Sequence, residues 1–520
     1  MKSLDKNGQA LVHHLRVQDA REKEQNEMLA RAEKINIVGA GGALTAAYEQ
    51  LRNAAENTEE HLLLQNAIRR FYRQLFITRD EELIARSGNE LAIELTLAGY
   101  LPNDHLTRTQ VDAISDLAKA HYSAYERIQA DRTLATDRPS KWALDVLAVK
   151  VERLLNDHGR EVVLVEFAYS ELENTLTAQA TLGRETQDFG ALLFIALQRA
   201  LLKHNEAAIR ASLIERYAIP LMPLDKYTAF NKQLDTLIDA PDADKLFHII
   251  DRLAPPLRIL RRMIDEQANL PELLENPDNF LDTYEKQVTN EYERVGRRIN
   301  RAIVRSIIFL IITKFLIGIA IEVPYDLWAH GEIIWLPLAI NLLFPPIYMF
   351  ALRATHQLPG HANTMALTER MESMLYGNEN TLKQSVIHGR SHSAVFSVMY
   401  GLMSIIVFGA VTYGLVQLKF SFVHILIFFL FLSAASFLGF RLSRLIREIE
   451  VVRSAQNGMT FIRDILYLPF VVVGRWMSDK YARVNVVAIV LDMLIELPLK
   501  TVLRLIRQWS AFIDERKDNI

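Results

Sequence analysis

The sequence predicts an all-α chain in two unlike parts: a large soluble helical N-terminal region, then a C-terminal membrane bundle of about four transmembrane helices in two hairpins, followed by an amphipathic C-terminal helix. Two observations carry this. Charged and apolar residues alternate at helical intervals up to about residue 300, and beyond it come long runs almost free of charge. At 520 residues the chain has room for more than one domain. The reading divides it into 1–300, a cytoplasmic all-helical region; 301–445, the transmembrane helices; and 446–520, cytoplasmic or interfacial amphipathic helices.

In the N-terminal region Met28, Ala32 and Ile35 recur at helical spacing, as do Leu83, Ile84, Leu91, Ile93 and Leu95. Thr78-Arg79-Asp80-Glu81 and Thr107-Arg108-Thr109-Gln110 fit the capping box, in which a hydroxyl and a Glu or Gln three residues later satisfy open backbone donors. Prolines at 102, 139, 220, 223, 241, 255 and 256 mark helix ends, because proline lacks the amide hydrogen and clashes with the preceding turn. A division into two subdomains falls near residues 102–139. Val162-Val163-Leu164-Val165 is the best strand-like run, and it sits in a helical context.

Four segments are long and apolar enough to cross a bilayer: 303–323, 333–352, 394–416 and 420–440, with a cytoplasmic loop at 353–393. Short links pair them as two antiparallel hairpins. Arginines 294, 297, 298, 301 and 305 crowd the start of the first span, and Arg441, Arg444, Arg447 and Arg453 follow the fourth. The link from Glu322 to Glu332 has no Lys or Arg, and the second tip has only Lys419. The positive-inside rule therefore turns both tips outward and keeps the N-terminal region in the cytoplasm, with Trp328 and Trp335 at the interface. The expected location is the plasma membrane of a prokaryote, multi-pass.

Further on, 465–476 is apolar but too short to cross unaided. Segment 485–509 carries Asp492, Glu496, Lys500 and Arg504 at successive i+4 positions, one polar stripe with acids first and bases last. A helix lying on the cytoplasmic membrane face accounts for the stripe, and a fifth span or packing on the soluble region are the alternatives.

The intramembrane polar candidates are Lys314, Glu322 and Asn341. An ionised lysine at mid-span costs at least about 2.5–3.5 kcal/mol, so Lys314 should face protein or water. Eight residues of regular helix place Glu322 about 12 Å further along the axis, too far for a direct pair unless the helix is distorted. Asn341 of the antiparallel partner lies at about the same depth, where its carbonyl could accept from Lys314. Asp492 or Glu496 could neutralise the lysine if the C-terminal helix dips inward. Pro337, Pro345 and Pro346 interrupt the second span. Lined together, these groups would make an ion or proton path; the plainer reading is a lysine held by polar neighbours that fixes helix register.

Several function classes are excluded or lack support. The absence of cysteine excludes disulfides, thiolate zinc sites and cysteine nucleophiles. A net charge of −3 argues against a general nucleic-acid partner. Arg69, Arg70 and Arg73 around Phe71 and Tyr72 read as a solvated helix face. Gly39-Ala40-Gly41-Gly42 has neither the preceding strand nor the Lys-Ser/Thr ending of a phosphate loop. His388 and His392 stand at i and i+4, with His356, His361, Glu369 and Glu372 in the same loop, yet without a zinc-protease pattern, so a polar juxtamembrane loop is expected. A short amphipathic helix near 366–375 could dock on the N-terminal region. No catalytic, cofactor-binding or metal motif is found. The leading expectation is a non-enzymatic membrane-anchored interaction or scaffold protein whose partners are the bilayer and a cytoplasmic protein. The alternative is an oligomeric channel or transporter regulated by its cytoplasmic helical domain, built as a homo-oligomer.

Overall fold

In the computed structural model the described residues are 3–36, 46, 49, 62–130, 137–355, 358–377, 394–452 and 458–483. Among them the chain is helical with no β-strand, and one isolated bridge joins Lys34 to Thr107. Two compact units emerge, one of residues 9–250 and one of residues 251–483 with the first eight residues; 484–520 lie outside the described residues.

The first unit is organised around helix Asp137–Leu155. One face, with Leu144, Leu147, Ala148 and Val151, joins Ile68, Tyr72, Phe76, Leu91, Ile114 and Tyr122 in one core. The other face, with Ala143, Val146 and Val149, joins Ala207, Ala208, Ala211 and Tyr227 in a second. Apolar residues all round make a helix that must be enclosed on both sides. Pro139 sits in its first turn, where a missing amide hydrogen costs nothing. The strand-like run 162–165 is helical, within Gly159–Thr175.

One of the two capping boxes forms. The Gln110 amide donates to Thr107 Oγ1 at 3.3 Å, and the Thr107 amide donates to Gln110 Oε1 at 3.0 Å. At the other site Thr78 ends the preceding helix and donates to the Leu75 carbonyl. Asp80 caps instead, accepting from the amides of Glu82 and Leu83. A carboxylate one residue before the helix outcompetes a hydroxyl already used by the previous one.

Four helices of the second unit are long and apolar enough to cross a membrane. The first apolar stretch belongs to a helix that begins at Pro277, runs to Ile317, passes through a π-helical turn at Gly318–Glu322 and continues as Val323–His330. The first tip is thus largely helical and reverses at Gly331, whose φ of +75° suits glycine. The others are Trp335–Thr355, Ala394–Gln417 and Phe422–Arg447. Pro337 lies in the first turn of its helix and breaks nothing. Large apolar side chains face outward along these helices, among them Phe309, Phe315, Phe350, Ile405 and Phe422, with Trp328 84% and Trp335 71% exposed beside the tip. Such a surface is compatible with lipid.

The run 465–476 lies within helix Gly458–Arg483, which packs closely on the fourth span. A Cβ at Gly474 would stand 2.3 Å from the Ser433 carbonyl oxygen, so the two backbones approach as only glycine permits. The amphipathic helix expected near 366–375 spans His361–Tyr376 and buries Leu367, Met371, Met374 and Leu375 within this unit. Asn363 fixes it, donating to Tyr292 Oη and the Ile449 carbonyl and accepting from the amides of Val451 and Val452.

Two histidines of the first unit are shifted in pKa in opposite directions. His158 bonds Glu152 at 2.9 Å and Glu161 at 3.0 Å, and these carboxylates raise its pKa to about 9. Burial, helped by the Lys150 charge, lowers that of His121 to about 3. A raised histidine stabilises fully below its unfolded value near 6.5, and the gain is lost as pH climbs through about 9. The depressed one acts oppositely, its contribution fading as pH falls from about 6.5 towards 3. Amide-exchange protection of helix Gly159–Thr175 in the full chain should therefore decline between pH 6.5 and 9. His158→Gln should flatten that decline; the same slope in both proteins would refute the assignment.

Candidate functional site

The bundle interior is lined by Leu310, Ile427, Phe431 and similar side chains, a medium in which an isolated charge is strongly disfavoured. Lys314 nevertheless sits there, its side chain 1% exposed. Its Nζ donates to Glu322 Oε1 at 2.6 Å, and Glu322 is equally enclosed. The Phe431 ring lies 5.0 Å from the ammonium and adds its negative face.

Regular helix would keep these two apart. Residues 318–322 form the π turn, where bonding from i to i+5 admits an extra residue per turn. That turn shortens the rise and rotates Glu322 towards the face of Lys314. The distortion named as the condition for a direct pair is thus present.

Asn341 completes the group, though not through its carbonyl. Its Nδ2 donates to Glu322 Oε1 at 2.7 Å and to the His424 carbonyl at 3.3 Å, so the amide joins the first, second and fourth spans. Both partners are acceptors, which fixes the orientation of the amide. Pro345 and Pro346 lie inside this helix and remove the amide hydrogens that the carbonyls of Asn341 and Leu342 would receive in an unbroken one. The backbone beside the cluster therefore gains acceptors.

Two residues that sequence reasoning did not single out extend the cluster. Asp326, 0% exposed, stands one turn beyond Glu322 and accepts from the Ile334 amide at 3.0 Å. Its other oxygen lies 3.5 Å from His424 Nε2 and 3.7 Å from His330 Nδ1. The opposite ring nitrogen of His424 pairs with Ser421 Oγ at 2.8 Å, and Ser421 caps the fourth span. His330 is 36% exposed. Available signals were the i, i+4 relation of Glu322 to Asp326 and the single ionisable residue in the run 422–440. Reading Asp326 as part of an open tip hid the first.

The arrangement is a ladder of titratable groups, Lys314, Glu322, Asp326, His424 and His330, that starts deep in the bundle and ends at an exposed histidine. Asp326 Oδ1, Asn341 Oδ1 and His424 Nε2 are buried with no hydrogen-bond partner among the described residues. The ladder thus has unused donor and acceptor capacity as well as charge. Among the described residues no cluster of three or more side chains is set to hold a metal ion. His361 begins its helix, while His356, His388 and His392 lie outside the described residues. So do Gly39–Gly42 and the stripe Asp492, Glu496, Lys500 and Arg504.

Compared with protein-family models, curated proteins and solved structures, the chain matches none.

Asn341→Leu keeps the size of the side chain and deletes the amide. Glu322 and the His424 carbonyl then lose a donor in an apolar site, at about 1–3 kcal/mol for each buried group left short. The thermal midpoint of the detergent-solubilised protein should fall by several degrees. An unchanged midpoint would mean that Asn341 does not bridge the spans.

Proposed function

We propose that this chain is an integral membrane protein that moves protons through its bundle, as a proton-coupled transporter or a proton channel, with the groups from Lys314 to His330 as the part of the path between the bundle interior and one face. The observation that supports it is a set of titratable groups in two linked clusters one helical turn apart: the buried pair Lys314–Glu322, and Asp326, which lies 3.5 Å from buried His424 and 3.7 Å from exposed His330. Ionisable groups inside spans are costly, and chains of Asp, Glu and His are how membranes pass protons. A bundle of about four helices encloses no wide pore, so relay between side chains fits better than passage of hydrated ions. By the positive-inside rule His330 faces outside and the N-terminal unit lies in the cytoplasm, where it would regulate the bundle.

A second reading is the membrane-anchored interaction protein with a cytoplasmic partner. It is favoured by the closed state of the Lys314–Glu322 pair, which is what a fixed register lock would require.

Proteoliposomes holding a pH-sensitive dye separate the two. Under a pH gradient or an imposed voltage the wild type should change internal pH, and Asp326→Asn and Lys314→Met should each slow that flux at least tenfold at matched incorporation. Flux unaltered by both substitutions would remove the ladder from the path. An absence of flux across all gradients would leave the anchored interaction protein as the reading.

A further inference from the structure

The first unit holds a concentration of positive charge that the proton path does not use. Helix Leu63–Thr78 carries Arg69, Arg70 and Arg73, and Arg79 follows it in a left-handed conformation. Lys141, on the first turns of Asp137–Leu155, lies across from them. These five cations line a hollow of about 550 Å³. Among the described residues its one acidic lining residue is Asp145.

The counter-charges are already engaged. Asp145, 5% exposed, holds Arg69 at 3.1 Å. Glu49 holds Arg70 at 2.8 Å and accepts from Tyr100 Oη as well. Arg73, Arg79 and Lys141 are exposed and have no acidic partner among the described residues. Arg69 and Arg73 stand at i and i+4, where like charges repel. A chain with a net charge of −3 has gathered cations here against its average.

The hollow is half-open. Helices Leu63–Thr78, Arg108–Ala130 and Asp137–Leu155 border it, and their shared core keeps its sides in place. Its apolar lining comes from exposed Ile77 and half-buried Tyr125, backed by the buried Phe76 and Leu144. A second hollow of about 600 Å³ adjoins it and shares Arg69, Lys141 and Asp145. Pockets of this size, part apolar and with a few convergent charged groups, suit small organic ligands. Arginine forks match phosphate oxygens in pairs, and lysine adds a mobile point charge.

We propose that this hollow binds a soluble phosphorylated small molecule of nucleotide size, with Arg73, Arg79 and Lys141 taking the phosphates and Ile77 and Tyr125 taking the flat or apolar part. A concave site favours a compact solute over the flat charge of a bilayer. The ligand would bias the unit that carries the pocket. This inference stands apart from the proton path.

Full-length protein in detergent is titrated calorimetrically with ATP, with pyrophosphate and with inorganic phosphate. ATP should bind saturably, more tightly than pyrophosphate and far more tightly than phosphate, and weaken as salt rises. Arg73→Ala/Lys141→Ala should weaken ATP at least tenfold with an unchanged thermal midpoint, since both side chains are exposed. Arg79→Glu provides a second variant with the same expectation. No saturable binding of ATP or pyrophosphate up to millimolar concentration would overturn the proposal, as would equal affinity in wild type and both variants. Binding to anionic phosphatidylserine vesicles without binding of either probe would reassign the patch to a membrane surface and overturn it too.

Discussion

An ammonium and a carboxylate held 2.6 Å apart inside an apolar bundle are the constraint around which the second unit is arranged. Neither charge could be left alone there; removing one partner of a buried pair costs about 3–5 kcal/mol. Their eight-residue separation is reconciled by the π turn that lies between them in the first span. The second span contributes Asn341 to the same carboxylate, and its two internal prolines free carbonyls at that level. The fourth span contributes the Phe431 ring, the His424 carbonyl and the His424 side chain. Three helices are thereby tied at one depth by polar contacts, where apolar packing alone would leave sliding and rotation nearly free.

The two units answer to different physics. Residues 9–250 are held by ordinary burial, two cores sharing one enclosed helix, with buried polar groups such as His121 and Asn231 hydrogen-bonded to backbone carbonyls. The second unit buries little along its outer faces, and its specificity comes from close backbone approach at Gly474 and from the polar ladder. Regulation of one by the other would combine an anion site of the first kind with a proton site of the second, each built where its medium makes it strongest.

Much of the fold was legible because it rests on periodicity and transfer energy. The apolar runs announce the spans, and helical spacing announces the rest. The Thr107 box formed as written, whereas the one at Thr78 was displaced to Asp80, since the hydroxyl was already committed to the preceding turn. Of the site, Lys314, Glu322 and Asn341 were found by their cost in lipid, and the structure brings them together. The pairing itself was not legible. A π turn has no sequence signature here, and regular geometry argued against contact. Asp326 and His424 were overlooked because one lay in an assumed tip and the other was a lone histidine near a span end. The cationic hollow was visible as a run of arginines, but its concavity depends on Lys141, distant in sequence, being folded opposite.

The most direct test is a double-mutant cycle on Lys314→Met and Glu322→Gln, read as the thermal midpoint of the purified full chain. If the pair organises the bundle, each single substitution strands a buried partner and lowers the midpoint, and the double substitution recovers most of that loss. Losses that simply add would mean that the two charges do not interact, and the arrangement of the spans would then need another explanation.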